Sequence, residues 1–326
     1  MMPSISNNEV RILNTECGRF SNDAIKEIEK IGEVTHVEAD RDYLLKNIAN
    51  YDVIIICIKN TIDREILELA KKLKVIVTPT TGVNHIDLIA AKEYQIKILS
   101  LKGEVNFLRT LSSTAEHTWG LLLCLQRKIY LAHNHVLNGF WNRNLFYGNE
   151  LRDKVLGVIG FGRLGQMVSE YGKSFGMKVI VYEINEVRTT SGLISVSLDQ
   201  LLSESDVVTL HIPLDETTTR FFDIEKFKKL KKQPFFVNTS RGEVVDEDAM
   251  IYALENGLIK GAALDVLADE TSTSKDWLKQ SLLWKYSQNN DNLLLTPHIA
   301  GVTTESVEKT NLFIIEKLKN HLNTVD

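Results

Sequence analysis

Short runs of β-branched and aliphatic residues recur along the chain: VRILN near residue 10, DVIIICI near 52, KVIVT near 74, VLGVIG near 155, KVIVYE near 178, DVVTLHI near 206, PFFVNTS near 234 and NLLLTP near 292. Runs this short and this continuously apolar suit strands covered on both faces, and helical segments fall between them. Parallel strands need long crossovers, usually helices, so the alternation predicts βαβ units and an α/β fold. At 326 residues the chain exceeds one ordinary core and suits two domains.

The first hundred residues form one such series, with helices predicted over 22–31, 63–73 and 87–94, and a second series runs from about 151 to 296. Between them, Ser112 to His135 reads as one long helix capped by Ser112 or Ser113. After the last strand, Glu305 to Asn320 spaces Val307, Leu312, Ile315 and Leu318 as an amphipathic helix. That helix is expected to return to the first domain, giving a discontinuous domain over 1–105 and 299–326, a second over 106–298, and a cleft between them as the default active site. The stretch from Thr271 to Asn292 is the least regular and is expected to be a surface excursion.

Composition narrows the function. With 38 Lys and Arg against 43 Asp and Glu, the net charge of −5 lacks the basic excess that nucleic-acid binding draws on. No apolar run approaches the roughly 18 residues of a membrane span, and the start MMPSISNNEVRIL lacks a signal peptide's apolar segment. A soluble, cytoplasmic protein is expected. Cys17, Cys57 and Cys124 are odd in number and far apart, which implies neither a disulfide framework nor a zinc site. His133 and His135 do not share a helix face, so no metal pair is expected there. His85 and His117 read as structural hydrogen-bonders, and Trp119 and Trp141 as packing or interface anchors.

The sharpest motif is VLGVIGFGRLG, a strand running into G-x-G-x-x-G at Gly160, Gly162 and Gly165. The first glycine permits a tight turn, the second lets backbone N–H groups approach a pyrophosphate, and the third lets helix and strand pack closely. A second strand follows the helix and ends at Glu183, where a carboxylate can accept both adenosine-ribose hydroxyls and repel a 2′-phosphate. NAD is therefore expected over NADP, with Arg188 the nearby cation that could soften the exclusion.

Three ionisable residues lie just past strand ends: Arg241 after PFFVNTS, Glu270 five residues beyond Asp265 in GAALDVLADE, and His298 after LLLTP. Each alone fits a surface or structural role. Beside a nucleotide turn they supply the parts of 2-oxo acid reduction. An imidazole transfers the proton, a carboxylate on its other nitrogen sets the tautomer and favours the imidazolium, and a guanidinium clamps a carboxylate by two parallel hydrogen bonds.

Together VLGVIGFGRLGQ, LHIPLDETT, VNTSRGEVVDEDAM, GAALDV and TPHIAG resemble the D-isomer-specific 2-hydroxyacid dehydrogenases, from about Val53 to Gly301, and are most similar to the phosphoglycerate dehydrogenase branch. The resemblance implies a Rossmann-type NAD domain inserted in a discontinuous flavodoxin-like substrate domain. It implies that Arg241 orients the substrate, His298 is the acid/base and Glu270 its partner. It also implies cofactor contacts from Arg163, Leu164, Glu183, His211, Pro213, Thr218, Thr239 and Asp265, and substrate-carboxylate contacts from the backbone of Thr81, Gly82, Val83 and Asn84. The implied reaction interconverts a D-2-hydroxy acid and its 2-oxo acid, D-3-phosphoglycerate or a related acid, in a homodimer joined near residues 112–135 and Trp141.

The chain departs from the family pattern in places. Thr271 stands where proline usually follows the catalytic Glu, and the Glu270 to His298 spacing is long, consistent with an insertion around 272–290. Asp269 is a competing assignment, but the five-residue offset from Asp265 favours Glu270. Lys59 stands where that branch tends to place a cation for phosphate, whereas Thr78 stands near where a second would be expected. With the sequence ending at 326, a C-terminal regulatory domain is not expected. NAD-sensing transcriptional corepressors share the fold and keep similar residues, and form the alternative reading.

Overall fold

The computed structural model of the protein describes residues 10–184, 193–272, 274 and 276–324. The chain divides into two compact units. Unit 1 comprises Met1–Thr110, Thr271–Thr273 and Val302–Asp326, and unit 2 comprises Leu111–Glu270 and Ser274–Gly301. Arg188 lies outside the described residues.

Unit 1 is built on a parallel sheet of β1 (Arg11–Asn14), β2 (Glu33–His36), β3 (Val53–Ile55), β4 (Val75–Val77) and β5 (Lys97–Leu99), in the order β2-β1-β3-β4-β5. This is the flavodoxin-like order. Its helices start where the sequence supplies a side-chain acceptor. Ser21 caps Asn22–Glu29, Asp40 caps Arg41–Asn47, Asp63 caps Arg64–Leu69 and Asp87 caps Leu88–Glu93, each accepting from a backbone N–H three residues on. The helix predicted over 63–73 therefore begins where expected but ends at Leu69. The final helix, Thr304–Thr324, buries Asn311, Ile314, Ile315 and Leu318, with Val307 and Leu312 only partly covered, so its inward stripe is rotated from the predicted one. Asn311 donates to the carbonyl of Arg19, and Phe107 stacks on Phe313 at 3.9 Å.

Unit 2 holds a seven-stranded parallel sheet of β6 (Val155–Ile159), β7 (Lys178–Tyr182), β8 (Ile194–Ser195), β9 (Val207–Leu210), β10 (Phe235–Asn238), β11 (Gly261–Leu264) and β12 (Leu293–Leu295), ordered β12-β11-β10-β9-β6-β7-β8. This is the doubly wound Rossmann order, whose direction of winding reverses between β6 and β9. Phe222, Phe227 and Phe236 pack edge-on at the centre of one face, among Leu201, Val208 and Met250.

Two expectations are corrected here. The long helix predicted from Ser112 to His135 is two helices, Ser113–Gln126 and Ile129–Leu137, because Lys128 adopts φ +53 and ends the first. Ser112 stands at the N-cap but does not cap through its side chain; its hydroxyl donates to Glu116 instead. The stretch from 271 to 292 carries two short helices, Trp277–Gln280 and Leu282–Ser287, and lies at the surface as expected, with Leu283 alone buried among its described residues. Among the described residues, no helix is long and apolar enough to cross a membrane.

Candidate active site

Open parallel sheets bind ligands outside the carboxyl ends of their strands, at the point where the winding reverses. In unit 2 that point is the loop after β6 facing the loop after β9. Gly160 has φ +89, and a Cβ there would lie 2.5 Å from the carbonyl oxygen of His211, so the two loops close up only around glycine. Gly165 is buried in the following helix, Arg163–Ser174, against the Gly160 carbonyl. Gly162 is that helix's N-cap, and a Cβ there would have no heavy atom within 4 Å. A helix N-terminus with free N–H groups beneath open space fits a pyrophosphate.

Around this turn, Glu183 accepts hydrogen bonds from the N–H of Phe161 (2.8 Å) and of Ile184 (2.9 Å), tying the end of β7 to the glycine loop. Arg163 donates to the Leu111 carbonyl at 2.7 Å, and burial lowers its pKa. Leu164 is partly buried and packs its side chain against the core cluster that includes Val158 and Val168. His211 sits 2.9 Å from the Thr209 hydroxyl through Nε2, while its buried Nδ1 has no partner among the described residues. Burial pushes the His211 pKa down to about 3, so the ring is neutral. Thr218 is buried and closes the same loop by donating to the exposed Pro213's carbonyl and accepting from the Asp215 N–H. An orphaned buried nitrogen and an open cradle over Gly162 both fit NAD.

At the ends of β10, β11 and β12 the ionisable residues come together. His298 Nδ1 lies 2.6 Å from Glu270 Oε1, both side chains being largely buried. His298 has φ +50 and Asp269 φ +62, conformations that L residues adopt at a cost. The His298 N–H donates to the carbonyls of Asp265 (2.8 Å) and Thr296 (3.0 Å). Asp265, 1% exposed, accepts from the Thr296 hydroxyl (2.6 Å), the Ile299 N–H (2.9 Å) and the Ala300 N–H (2.8 Å). Burial alone would raise its pKa; the His117, Thr296 and backbone hydrogen bonds outweigh that and hold it below the ordinary value.

Arg241 follows β10 in a loop knitted by buried Asn238, which accepts from Ser240 and donates to the Arg241 carbonyl. The guanidinium gives one N–H to the Ser240 carbonyl, at 2.6 Å. A Cβ on Gly242 would fall 2.0 Å from the carbonyl carbon of Leu267, so the Arg-Gly pair lies hard against the loop that carries Glu270. Burial raises the Glu243 carboxyl's pKa; Glu270's charge raises it further, and Arg241 opposes both. Arg241 and Glu270 thus act on one carboxyl. Thr239 is buried, 2.9 Å from the Thr118 hydroxyl.

Two further residues of this region carry no catalytic pattern in the sequence. His117 contacts Asp265 and Thr296, and Glu247 accepts the Ala268 N–H at 2.8 Å, steadying the Glu270 loop. No local pattern marks either, since their partners come from distant strands. In unit 1, Thr81 and Asn84 are exposed on the loop after β4, and Gly82 accepts from Thr80 through its carbonyl. Buried Thr78 and His85 lie beneath that loop, 3.4 Å apart.

Comparison with known proteins agrees with this chemistry. The family described as D-isomer specific 2-hydroxyacid dehydrogenase, NAD binding domain, matches residues 119–300. A hydroxypyruvate reductase of Thermotoga maritima is 35% identical over 290 residues, 89% of this chain and 91% of that protein. A D-3-phosphoglycerate dehydrogenase of Methanocaldococcus jannaschii is 35% identical over 318 residues, 96% of this chain but 57% of that protein. The crystal structure of D-lactate dehydrogenase from Aquifex aeolicus complexed with NAD and lactic acid aligns with TM-score 0.81 and 28% identity, covering 96% of both chains. The chain therefore belongs to the D-isomer-specific 2-hydroxyacid dehydrogenases, NAD-dependent oxidoreductases acting on CH–OH donors.

Proposed function

We propose that the protein interconverts a short, unphosphorylated 2-oxo acid of the hydroxypyruvate class and its D-2-hydroxy acid, with His298 as acid/base, Glu270 as its partner and Arg241 as the substrate clamp. The 2.6 Å contact between His298 Nδ1 and Glu270 carries this reading. A carboxylate there accepts the Nδ1 hydrogen, which leaves Nε2 to exchange a proton with the substrate oxygen. Bound NADH supplies the hydride to the carbonyl carbon. Arg241 holds the substrate carboxylate through its remaining N–H donors.

In this reading Gly160, Gly162, Arg163, Leu164 and Gly165 meet the pyrophosphate, and Glu183 the adenosine ribose. His211, Pro213 and Thr218 line the adjoining loop, and Thr239 and Asp265 serve the nicotinamide end. Oδ2 of Asp265 accepts only from Ala300 among the contacts described above, so it keeps capacity for a carboxamide N–H.

The substrate class rests on two observations. The Thermotoga relative, 35% identical over 89% of this chain, is named for hydroxypyruvate. Lys59, the cation that the phosphoglycerate resemblance would give to a phosphate, is paired with Glu38 at 3.1 Å, which sets a negative charge beside it. With NADH, kcat/KM for hydroxypyruvate is expected to exceed that for 3-phosphohydroxypyruvate by more than tenfold, with glyoxylate between them. A preference for the phosphorylated acid overturns the assignment.

We infer also that the protein is a cytoplasmic homodimer. The helix Ile129–Leu137 buries none of its residues and ends on Leu137, 70% exposed, and beyond it Trp141 is 87% exposed and Tyr147 77%. So dense an apolar stretch on a chain's surface is the mark of an interface. Sedimentation at micromolar concentration is expected to give twice the chain mass, and Trp141→Asp to lower it.

A further inference from the structure

The helix Ser113–Gln126 places two consecutive side chains against the strand ends of unit 2. Thr118 donates to the Thr114 carbonyl at 2.8 Å, so in its 2.9 Å contact with Thr239 the Thr239 hydroxyl is the donor. The neighbouring His117 turns to the next two strands, with Nε2 3.2 Å from the Thr296 hydroxyl and 3.3 Å from Asp265 Oδ1. The Thr296 hydroxyl gives its own hydrogen to Asp265 at 2.6 Å. Both neighbours of His117 Nε2 are therefore acceptors, and that nitrogen must carry a hydrogen.

Three of the hydrogen bonds that hold the His298 turn meet at the same carboxylate. Asp265 grips residue 296 before the turn and residues 299 and 300 after it, while its own carbonyl accepts the His298 N–H. The turn carries a non-glycine residue at φ +50, a strained conformation that persists only where its surroundings over-determine it. With Oδ1 already accepting two hydrogen bonds, the direction of the Thr296 hydroxyl decides whether the grip is complete. His117 sets that direction by giving Thr296 a hydrogen to accept.

We propose that His117 is a positioning residue for proton transfer, acting on His298 through Thr296 and Asp265. This rests on His298 being the acid/base. Without the Nε2–H, the turn relaxes from its strained conformation and the imidazole shifts relative to the substrate oxygen. A displacement of about 1 Å at a reacting group lowers turnover on the order of 10²-fold. The effect falls on kcat, because the helix His117 sits on leaves the glycine turn intact.

The test compares wild type, His117→Ala, His117→Gln, Thr296→Val and His298→Ala with hydroxypyruvate and NADH, turnover being expressed per NADH site titrated by fluorescence. His117→Ala and Thr296→Val are expected to lose about 10- to 100-fold in kcat with KM for NADH within twofold. His117→Gln, whose amide nitrogen reaches the same place, is expected to recover most of it. Wild-type kcat in His117→Ala and Thr296→Val overturns the inference, and so does a loss that His117→Gln fails to recover. Loss of NADH sites in both His117 variants also overturns it, since His117 would then serve the fold. His298→Ala separates the two claims: if it alone is inactive, the reading of His298 stands and that of His117 falls, whereas activity in His298→Ala removes the basis of both.

Discussion

Asp265→Asn exchanges one carboxylate oxygen for an N–H2 group and changes almost nothing in volume. The structure allows its cost to be worked out. With the amide nitrogen at the Oδ2 position, it faces the Ala300 N–H, 2.8 Å away, so donor meets donor. A hydrogen bond to a charged acceptor, about 1.5–3 kcal/mol, is lost, and a buried N–H is left unsatisfied at about 1–3 kcal/mol. The opposite orientation is worse, because two donors converge on Oδ1. The expected loss is about 3–5 kcal/mol, or roughly 6–20 °C in Tm at 2–4 °C per kcal/mol.

The four tryptophans, Trp119, Trp141, Trp277 and Trp284, all lie in unit 2, so urea unfolding followed by their fluorescence reports on the unit that changed. The pH dependence has a definite sign. The folded-state pKa of Asp265 lies below its ordinary value of 3.8, so its contribution is fully present above that pH and disappears as pH falls through the folded value. The gap between wild type and Asp265→Asn is therefore expected to be constant from pH 5 to 7 and to narrow below about pH 4. A gap under 1 kcal/mol at pH 7, or one that widens on acidification, refutes the reasoning.

Three further substitutions probe the glycine turn and the proposed proton donor. His298→Ala is expected to lower kcat by roughly 10²–10⁴-fold while NADH still quenches tryptophan fluorescence with its wild-type affinity; turnover within threefold of wild type removes the imidazole from proton transfer. Gly160→Ala places a methyl group 2.5 Å from the His211 carbonyl on a backbone at φ +89, so NADH binding should weaken at least tenfold by titration calorimetry, and unchanged affinity refutes the close-approach argument. Glu183→Ala removes the acceptor of the Phe161 and Ile184 N–H groups and the charge that would repel a 2′-phosphate, so the ratio of kcat/KM for NADH over NADPH should fall at least tenfold.

What the sequence reveals depends on how many faces of a strand are covered. The interior strands β1, β3, β4, β6, β7, β9 and β10 stand out as apolar runs because helices cover them on both sides. Of the four edges, β2, β5 and β8 do not, since Glu33, Lys97 and both residues of β8 are exposed and break the pattern, whereas β12 does because it is three leucines. β11 escapes for a different reason. GAAL is fully buried but has no branched residue until its end, and Ala263 packs against Leu121 and Leu125 of the helix Ser113–Gln126. The break at Lys128 has no signal either, because neither glycine nor proline marks it; Lys128 adopts a left-handed conformation that side chains seldom take. In the candidate site, the glycine spacing and the order of Arg241, Glu270 and His298 are written locally. The partner of His117, 179 residues away at Thr296, is not.

Both strained residues near the imidazole, Asp269 and His298, bracket the Glu270–His298 contact, and neither is glycine. Glycine at 298 would relieve the turn, but it cannot carry a proton. The alternative is to keep the side chain and over-determine the backbone. A buried carboxylate suits this because one group can accept from the residues on both sides of the turn, and each of those hydrogen bonds is strengthened by its charge. That arrangement in turn requires the carboxylate to remain ionised, and burial alone works against ionisation. The donors from Thr296, Ile299 and Ala300, with His117 beside them, reverse the balance. The geometry of the Glu270–His298 pair is therefore coupled to the charge on Asp265, and any substitution that neutralises this carboxylate should disturb stability and the proposed proton transfer together.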